Sequence, residues 1–223
     1  LNNFIKKLKI LLCYYGIKNP TYLKIQGKGD LMEAEIKSIP FYLLIDLVNG
    51  SISKYTKKIE VRLSDMKPYF YDINALNEKI EKEGNYVIYE YYENSLDRIK
   101  GLNFGITIIH PGSIGKEYHF TRGHFHLNKE ADEIYIGIKG KGLVLLDNGK
   151  GEFYSYLLER GTIIYIPGDF AHRTINIGDE DLVYFYIYPS DAGHDYESIQ
   201  RRGFKKLVLK INNKFTLVDN PRY

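Results

Sequence analysis

His124 and His126 flank a single phenylalanine, Glu133 follows after a break at Leu127-Asn128-Lys129, and His172 stands far downstream. Three imidazoles and one carboxylate at these offsets can converge on one divalent cation. The one-residue gap puts both rings of the first pair on one face of a β-strand, with Phe125 pointing away. Glu133 leads into the apolar run Ile134-Tyr135-Ile136-Gly137-Ile138, which reads as a hairpin with the carboxylate returning on a neighbouring strand. Imidazole nitrogens with a carboxylate oxygen suit Fe(II), Mn(II), Ni(II) or Zn(II). The absence of cysteine from this set argues against a closed structural zinc. Four protein ligands leave adjacent positions open to water or substrate. The chemistry this allows is polarisation of a carbonyl or hydroxyl pair, or oxygen activation if iron is bound.

Residues near the ligands point to an anionic substrate. Thr121 and the Gly123 amide precede the first histidine, and Thr107 lies on the strand before them. Hydroxyls and an unobstructed glycine N–H are suitable phosphate donors. No Walker-type or GxGxxG loop is present to hold a nucleotide, and Gly140-Lys141-Gly142 and Gly149-Lys150-Gly151 read as hairpin turns. His194 sits in Tyr188-Pro189-Ser190-Asp191-Ala192-Gly193-His194-Asp195-Tyr196, whose composition marks a loop leaving a strand. A loop histidine near a barrel mouth can give or take a proton. His110 and His119 read as structural or surface residues.

The elements that must position these groups are strands. Tyr42–Val48, Lys58–Arg62 and Tyr86–Tyr92 alternate or run apolar between turn residues. Between them lies one helix, capped by Asp72, with Ile73, Leu76 and Ile80 at helical spacing and Gly84 ending it. After Phe104 the spacing predicts strands over Ile106–Ile109, Glu117–Thr121, Ile134–Ile138, Leu143–Leu146, Phe153–Leu157, Ile163–Ile166, Arg173–Ile175 and Leu182–Tyr188. A short helix near Tyr196–Arg201 precedes a closing pair, Lys206–Ile211 and Lys214–Val218. Gly or Pro at nearly every join suits a sandwich or barrel.

Composition narrows the class. An apolar content of 44% and a charged content of 26% describe an ordinary globular chain, and no apolar run is long enough to span a bilayer. A lone cysteine, Cys13, cannot form an internal disulfide, so a reducing cytoplasm is expected. Net charge is +3, but residues 1–37 alone carry +4, from seven lysines against Asp30, Glu33 and Glu35. The remainder is near neutral, which argues against a nucleic-acid partner for it. Residues 1–37 therefore read as an amino-terminal extension and 38–223 as the barrel domain. Gly29-Asp30 can be encoded by a sequence resembling a ribosome-binding site just before Met32. Two expectations follow: translation from Met32, or a basic arm that is disordered or helical.

Gly161, Pro167, His172 and Asn176, together with the Glu133-to-Gly140 spacing, resemble the two halves of the cupin signature. That family folds as an all-β double-stranded β-helix, a jelly-roll barrel, here with one or two peripheral helices. The six residues between His126 and Glu133 exceed the three or four of the generic motif. The runs Thr121-Arg122-Gly123-His124-Phe125-His126, Glu133-Ile134-Tyr135, Lys139-Gly140-Lys141-Gly142, Ala171-His172-Arg173-Thr174-Ile175-Asn176 and Tyr188 to Tyr196 resemble the archaeal, cupin-type glucose-6-phosphate isomerases, whose wider gap this fits. Val61-Arg62-Leu63-Ser64-Asp65-Met66 and Asp219-Asn220-Pro221-Arg222 extend the likeness, which covers Ile39 to the end.

That resemblance implies His124, His126, Glu133 and His172 as ligands of one divalent metal per subunit, Fe(II) being favoured over Mn, Ni or Zn. It implies phosphate binding by Thr107, Thr121 and Gly123, and a sugar site lined by Tyr89, Tyr135, Tyr188, His194 and Tyr196. Glu133 would be the base that shuttles a proton, with His194 and Tyr188 as further catalytic groups. The implied protein is a cytoplasmic homodimer that interconverts glucose 6-phosphate and fructose 6-phosphate in glycolysis and gluconeogenesis, with no nucleic acid or membrane partner. A cis-enediolate route and a metal-assisted hydride shift both remain open at this point. So do an iron-dependent cupin dioxygenase, a non-enzymatic sugar-binding cupin and activity on mannose 6-phosphate.

Overall fold

Runs rich in β-branched and aromatic residues form strands wherever Gly, Pro or Asp allows the chain to turn between them. The computed structural model describes residues 21–27, 32–38, 40–95 and 101–223, and the chain divides into two compact units, 1–44 and 45–223. In the first unit β1 (Thr21–Gly27) and β2 (Met32–Ser38) pair antiparallel, from Thr21↔Ser38 to Gly27↔Met32. Residues 1–20, with Cys13 and the first lysines, lie outside the described residues; in the described remainder of the arm expected over 1–37, the chain forms this strand pair rather than a disordered or helical segment.

The second unit begins with β3 (Ile45–Asp46) and β4 (Ser51–Ile52). The strand expected over 42–48 is cut short because the Asp46 carboxylate accepts from the Val48 and Asn49 amides at 2.8 and 3.0 Å, folding the chain into a turn. Next come β5 (Lys57–Arg62), a 3-10 turn at Leu63–Met66, α1 (Ile73–Glu83), β6 (Val87–Asn94), β7 (Leu102–Ile109), β8 (Ser113–Ile114) and β9 (Glu117–Tyr118). Then follow β10 (Glu133–Lys139), β11 (Lys141–Asp147), β12 (Phe153–Glu159), β13 (Ile163–Ile166), β14 (Ala171–Asn176) and β15 (Leu182–Pro189). The chain closes with α2 (Glu197–Arg202), β16 (Lys206–Ile211) and β17 (Lys214–Asp219). The α1 caps are as expected: Asp72 accepts from the Ala75 amide at 2.9 Å, and Gly84 takes φ 84 at the far end.

All strand pairs in this unit are antiparallel. A six-stranded sheet in the order β13-β10-β15-β7-β6-β5 accompanies a three-stranded sheet, β12-β11-β14, and a four-stranded one, β17-β16-β9-β8. The chain passes from the first sheet (β10) to the second (β11, β12), returns to β13, crosses to β14 and comes back to β15. That repeated crossing is the double-stranded β-helix, with α1 and α2 as peripheral helices. Inward residues alternate along the strands: Ile164 and Ile166 are buried while Ile163 and Tyr165 are exposed. The strand expected over Glu117–Thr121 stops at Tyr118. Beyond it the His119 amide bonds to Gly112 but the Thr121 amide bonds to Thr174, so the segment passes from the β8 side to β14 without forming a continuous ladder.

Candidate metal centre

The two neighbouring histidines lie outside any regular strand. His124 and Phe125 form isolated bridges with His172 and Asp195. The hairpin expectation is therefore corrected: the partner of the histidine segment is β14, and Glu133 arrives from β10 in the other sheet. The cause is local. The amide and carbonyl of His124 are both taken by His172, at 3.3 and 3.1 Å, which leaves neither for β10. The same-face expectation stands, with the His124 and His126 rings 5.5 Å apart and Phe125 turned away beneath the Lys129 ammonium at 4.4 Å.

Glycine is what allows this approach. Gly123 adopts φ 70, and a Cβ there would stand 2.7 Å from the Phe204 ring and 2.9 Å from the His172 carbonyl oxygen. Any larger residue would push the histidine segment off β14.

One ligand atom from each of His124, His126, Glu133 and His172 falls within 4.8 Å of all the others. The Nε2 atoms of His172 and His126 stand 3.0 and 3.3 Å from Glu133 Oε2. Proximity is not hydrogen bonding here: Nε2 of all three histidines and Glu133 Oε2 are buried atoms without a hydrogen-bond partner. Such unmet demand is costly unless something fills it, and a cation at the centre does so for all four. The far side of the rings supports this. His126 Nδ1 lies 2.6 Å from the Ala131 carbonyl and His172 Nδ1 lies 3.4 Å from that of Phe170. Donation to those carbonyls places the ring proton on Nδ1 and leaves the Nε2 lone pair facing the cluster.

Electrostatics agree with the donor set. Burial holds His124 well below the ordinary imidazole range. For Glu133 burial alone pushes upward, but His172 and His126 beside it outweigh that and bring the carboxyl down to about 2. Burial disfavours charge on His126 too, yet Glu133 overrides it and raises the ring's hold on a proton. A cation between them takes the place of that proton. His194 packs against His124 with ring centroids 4.4 Å apart, and burial lowers it to about 4, so it is neutral near pH 7.

A cavity of about 300 Å³ opens beside the cluster, a size for a small molecule rather than a polymer. His124, Glu133 and His172 line it, with His126 buried just behind. Thr107, Thr121, Gly123 and Tyr89 line it as well, as do Tyr135, Tyr188, His194 and Tyr196. Thr121 Oγ1 accepts from the Thr174 amide at 3.1 Å, which leaves its own proton for a ligand. Burial raises the Tyr89, Tyr188 and Tyr196 hydroxyls, so each is a neutral donor.

Sequence reading missed Lys57, Tyr91, Glu93, Arg122, Tyr184 and Tyr186 in the same walls. The signal for some was present: Tyr184 and Tyr186 alternate with Tyr188, and Tyr91 and Glu93 alternate with Tyr89, which period two puts on one face. Lys57 and Arg122 carried none.

An antiparallel jelly-roll with three histidines and a glutamate converging inside it is a cupin barrel with a candidate metal site. The family model for "Glucose-6-phosphate isomerase (GPI)" matches residues 60–222, and the chain belongs to that family. It is 44% identical over 185 residues to glucose-6-phosphate isomerase of Pyrococcus furiosus, covering 82% of this chain and 97% of that one. To the enzyme of the same name from Thermococcus kodakarensis it is 45% identical, covering 82% and 96%. A putative glucose-6-phosphate isomerase of Rhizobium meliloti is 34% identical over 182 residues, covering 80% and 85%. Of solved structures, oxalate oxidase with a substrate analogue overlaps 46% of this chain and 49% of its own, at 20% identity and a TM-score of 0.38, too partial a likeness to bear on function.

Proposed function

We propose that this chain interconverts glucose 6-phosphate and fructose 6-phosphate with one divalent cation per subunit, Fe(II) being favoured over Mn(II), Ni(II) and Zn(II). We place it in the cytoplasm as a homodimer serving glycolysis and gluconeogenesis. Relatives that bear this activity in their names support the reaction class. The observation that carries the reading is four unpartnered ligand atoms at one side of a cavity whose other side offers Thr107, Thr121 and the Gly123 amide. One end suits two adjacent sugar oxygens, the other a phosphate.

His124, His126, His172 and Glu133 would hold the cation, which when bound polarises the oxygens on C1 and C2. Thr107, Thr121 and Gly123 anchor the phosphate, and Tyr89, Tyr135 and Tyr196 line the sugar. Glu133 takes the C2 proton of the open-chain aldose and returns it at C1, by way of an enediol. Its low proton affinity makes it a weak base in the resting protein, so the acidity of the substrate carbon must be raised in the complex. His194, neutral and next to the cluster, is placed to move the proton that opens the sugar ring. Tyr154 and Tyr156, exposed on one face of β12 with their rings 6.3 Å apart, offer apolar surface to a second copy.

The test is a coupled assay of fructose 6-phosphate conversion, with and without chelator, on wild type and His172→Ala. Turnover that is lost on chelation, restored by metal and absent in the variant supports the reading; full turnover by demetallated protein sinks it. Solvent deuterium at C2 of recovered glucose 6-phosphate would support the enediol, and complete retention the hydride shift.

A further inference from the structure

Glu93 is a buried carboxylate on β6 with no role in the scheme above. It belongs to a rung that crosses the six-stranded sheet as Lys57↔Glu93↔Gly105↔Tyr186↔Tyr135. Gly105 leaves a notch in that rung. A Cβ there would collide with the Tyr92 carbonyl and stand 2.9 Å from the Tyr186 hydroxyl. Across the notch Glu93 Oε2 accepts from the Tyr186 and Tyr188 hydroxyls, at 3.3 and 2.7 Å. A carboxylate offers two oxygens and about four acceptor sites. Both tyrosines use Oε2, which leaves Oε1 for a group inside the cavity that Glu93 lines.

Its position along the barrel says which group. One rung to one side, on the same face, is Tyr91↔Thr107↔Tyr184. One rung to the other side is Asn103↔Tyr188, and the Tyr188 ring lies 6.0 Å from His126 and 5.5 Å from His194. Glu93 thus stands between the phosphate end and the cation end. A sugar phosphate held at both ends presents its middle hydroxyls there.

We propose that Glu93 is a specificity-determining residue whose Oε1 accepts a hydrogen bond from the C3 or C4 hydroxyl of the substrate, while its Oε2 fixes Tyr186 and Tyr188. The inference rests on the isomerase reading above. A buried charged acceptor discriminates strongly, because a ligand lacking the hydroxyl leaves it unpaired.

The test compares kcat/KM for glucose 6-phosphate and its 3-deoxy and 4-deoxy analogues in metal-loaded wild type, Glu93→Ala and Glu93→Gln, with thermal melts to confirm folding. Wild type is expected to lose at least about 30-fold on one analogue. In Glu93→Ala that penalty shrinks to about 3-fold or less, because the parent sugar loses the bond as well. Glu93→Gln, nearly isosteric but uncharged, keeps the fold and reduces the penalty to about 5-fold. Equal penalties in all three proteins would make Glu93 a mere brace for the tyrosines and overturn the proposal while leaving the isomerase reading intact. Absence of glucose 6-phosphate turnover by the metal-loaded wild type would overturn both.

Discussion

Glu117 and Glu133 are both buried acids on strands of the same unit, and each has a buried histidine nearby, yet their surroundings are opposite. Glu117 accepts from the Tyr71 and Asp72 amides at 2.9 and 3.2 Å. His119, two residues on, uses both ring nitrogens, on the His110 carbonyl at 3.0 Å and the Tyr86 hydroxyl at 3.3 Å. Around Glu133 four ligand atoms have no such partner. Burial of a titratable group is thus no mark of function. The first region is complete as it folds, whereas the second is complete only with something added.

The sharpest test of that contrast is His172→Ala. It should cost roughly 10³-fold or more in kcat/KM and abolish metal-dependent gains in Tm, with little change in the melting of metal-free protein. A wild-type level of metal binding in this variant would erase the distinction between the regions. The converse substitution, Glu117→Ala, should leave metal binding and kcat within about 3-fold, yet lower stability by about 2 kcal/mol, since two partly buried amides lose their acceptor. Denaturant melts of the two variants side by side measure the exchange of roles.

His119 gives a pH signature of the first region, of the same sign as the one expected from buried His194 in the second. Burial lowers His119 to about 4 from an ordinary 6.5. Between those values the unfolded chain binds a proton that the folded protein refuses, so stability falls as pH drops through 6.5 and levels off near 4. The loss amounts to about 3 kcal/mol, and none of it is felt above pH 6.5. The difference between wild type and His119→Gln in melts at pH 7, 6, 5 and 4 isolates it; a constant difference would show that folding leaves the ring's proton affinity unchanged. The smallest effect is expected for Thr121→Val, where a lost phosphate donor raises KM about 10-fold at near-constant kcat, worth about 1.4 kcal/mol.

Much of the fold was readable along the chain. The strands from β10 to β17 and both helices lie within a few residues of their expected bounds, because period-two alternation and Gly or Pro joins are local signals. The chemistry of the four ligands was equally legible, since His-x-His, Glu133 and His172 are unusual in type and spacing. The partner of the histidine segment was not. Pairing with β14 depends on a residue 48 positions away, His172, and on the room Gly123 leaves beside Phe204. The strand expected to run to Thr121 failed for a similar reason, its amides being shared between two sheets.

Residue types and spacing were sufficient to mark the four candidate donors and the face each strand turns inward, because those follow from covalent geometry and a two-residue period. Only the folded barrel decided that four such atoms would be left unpartnered together, and that Glu93 would reach two tyrosines across the gap at Gly105. Those outcomes belong to contacts between strands distant in the chain, where one missing Cβ or one amide already taken redirects a neighbour that no local pattern describes.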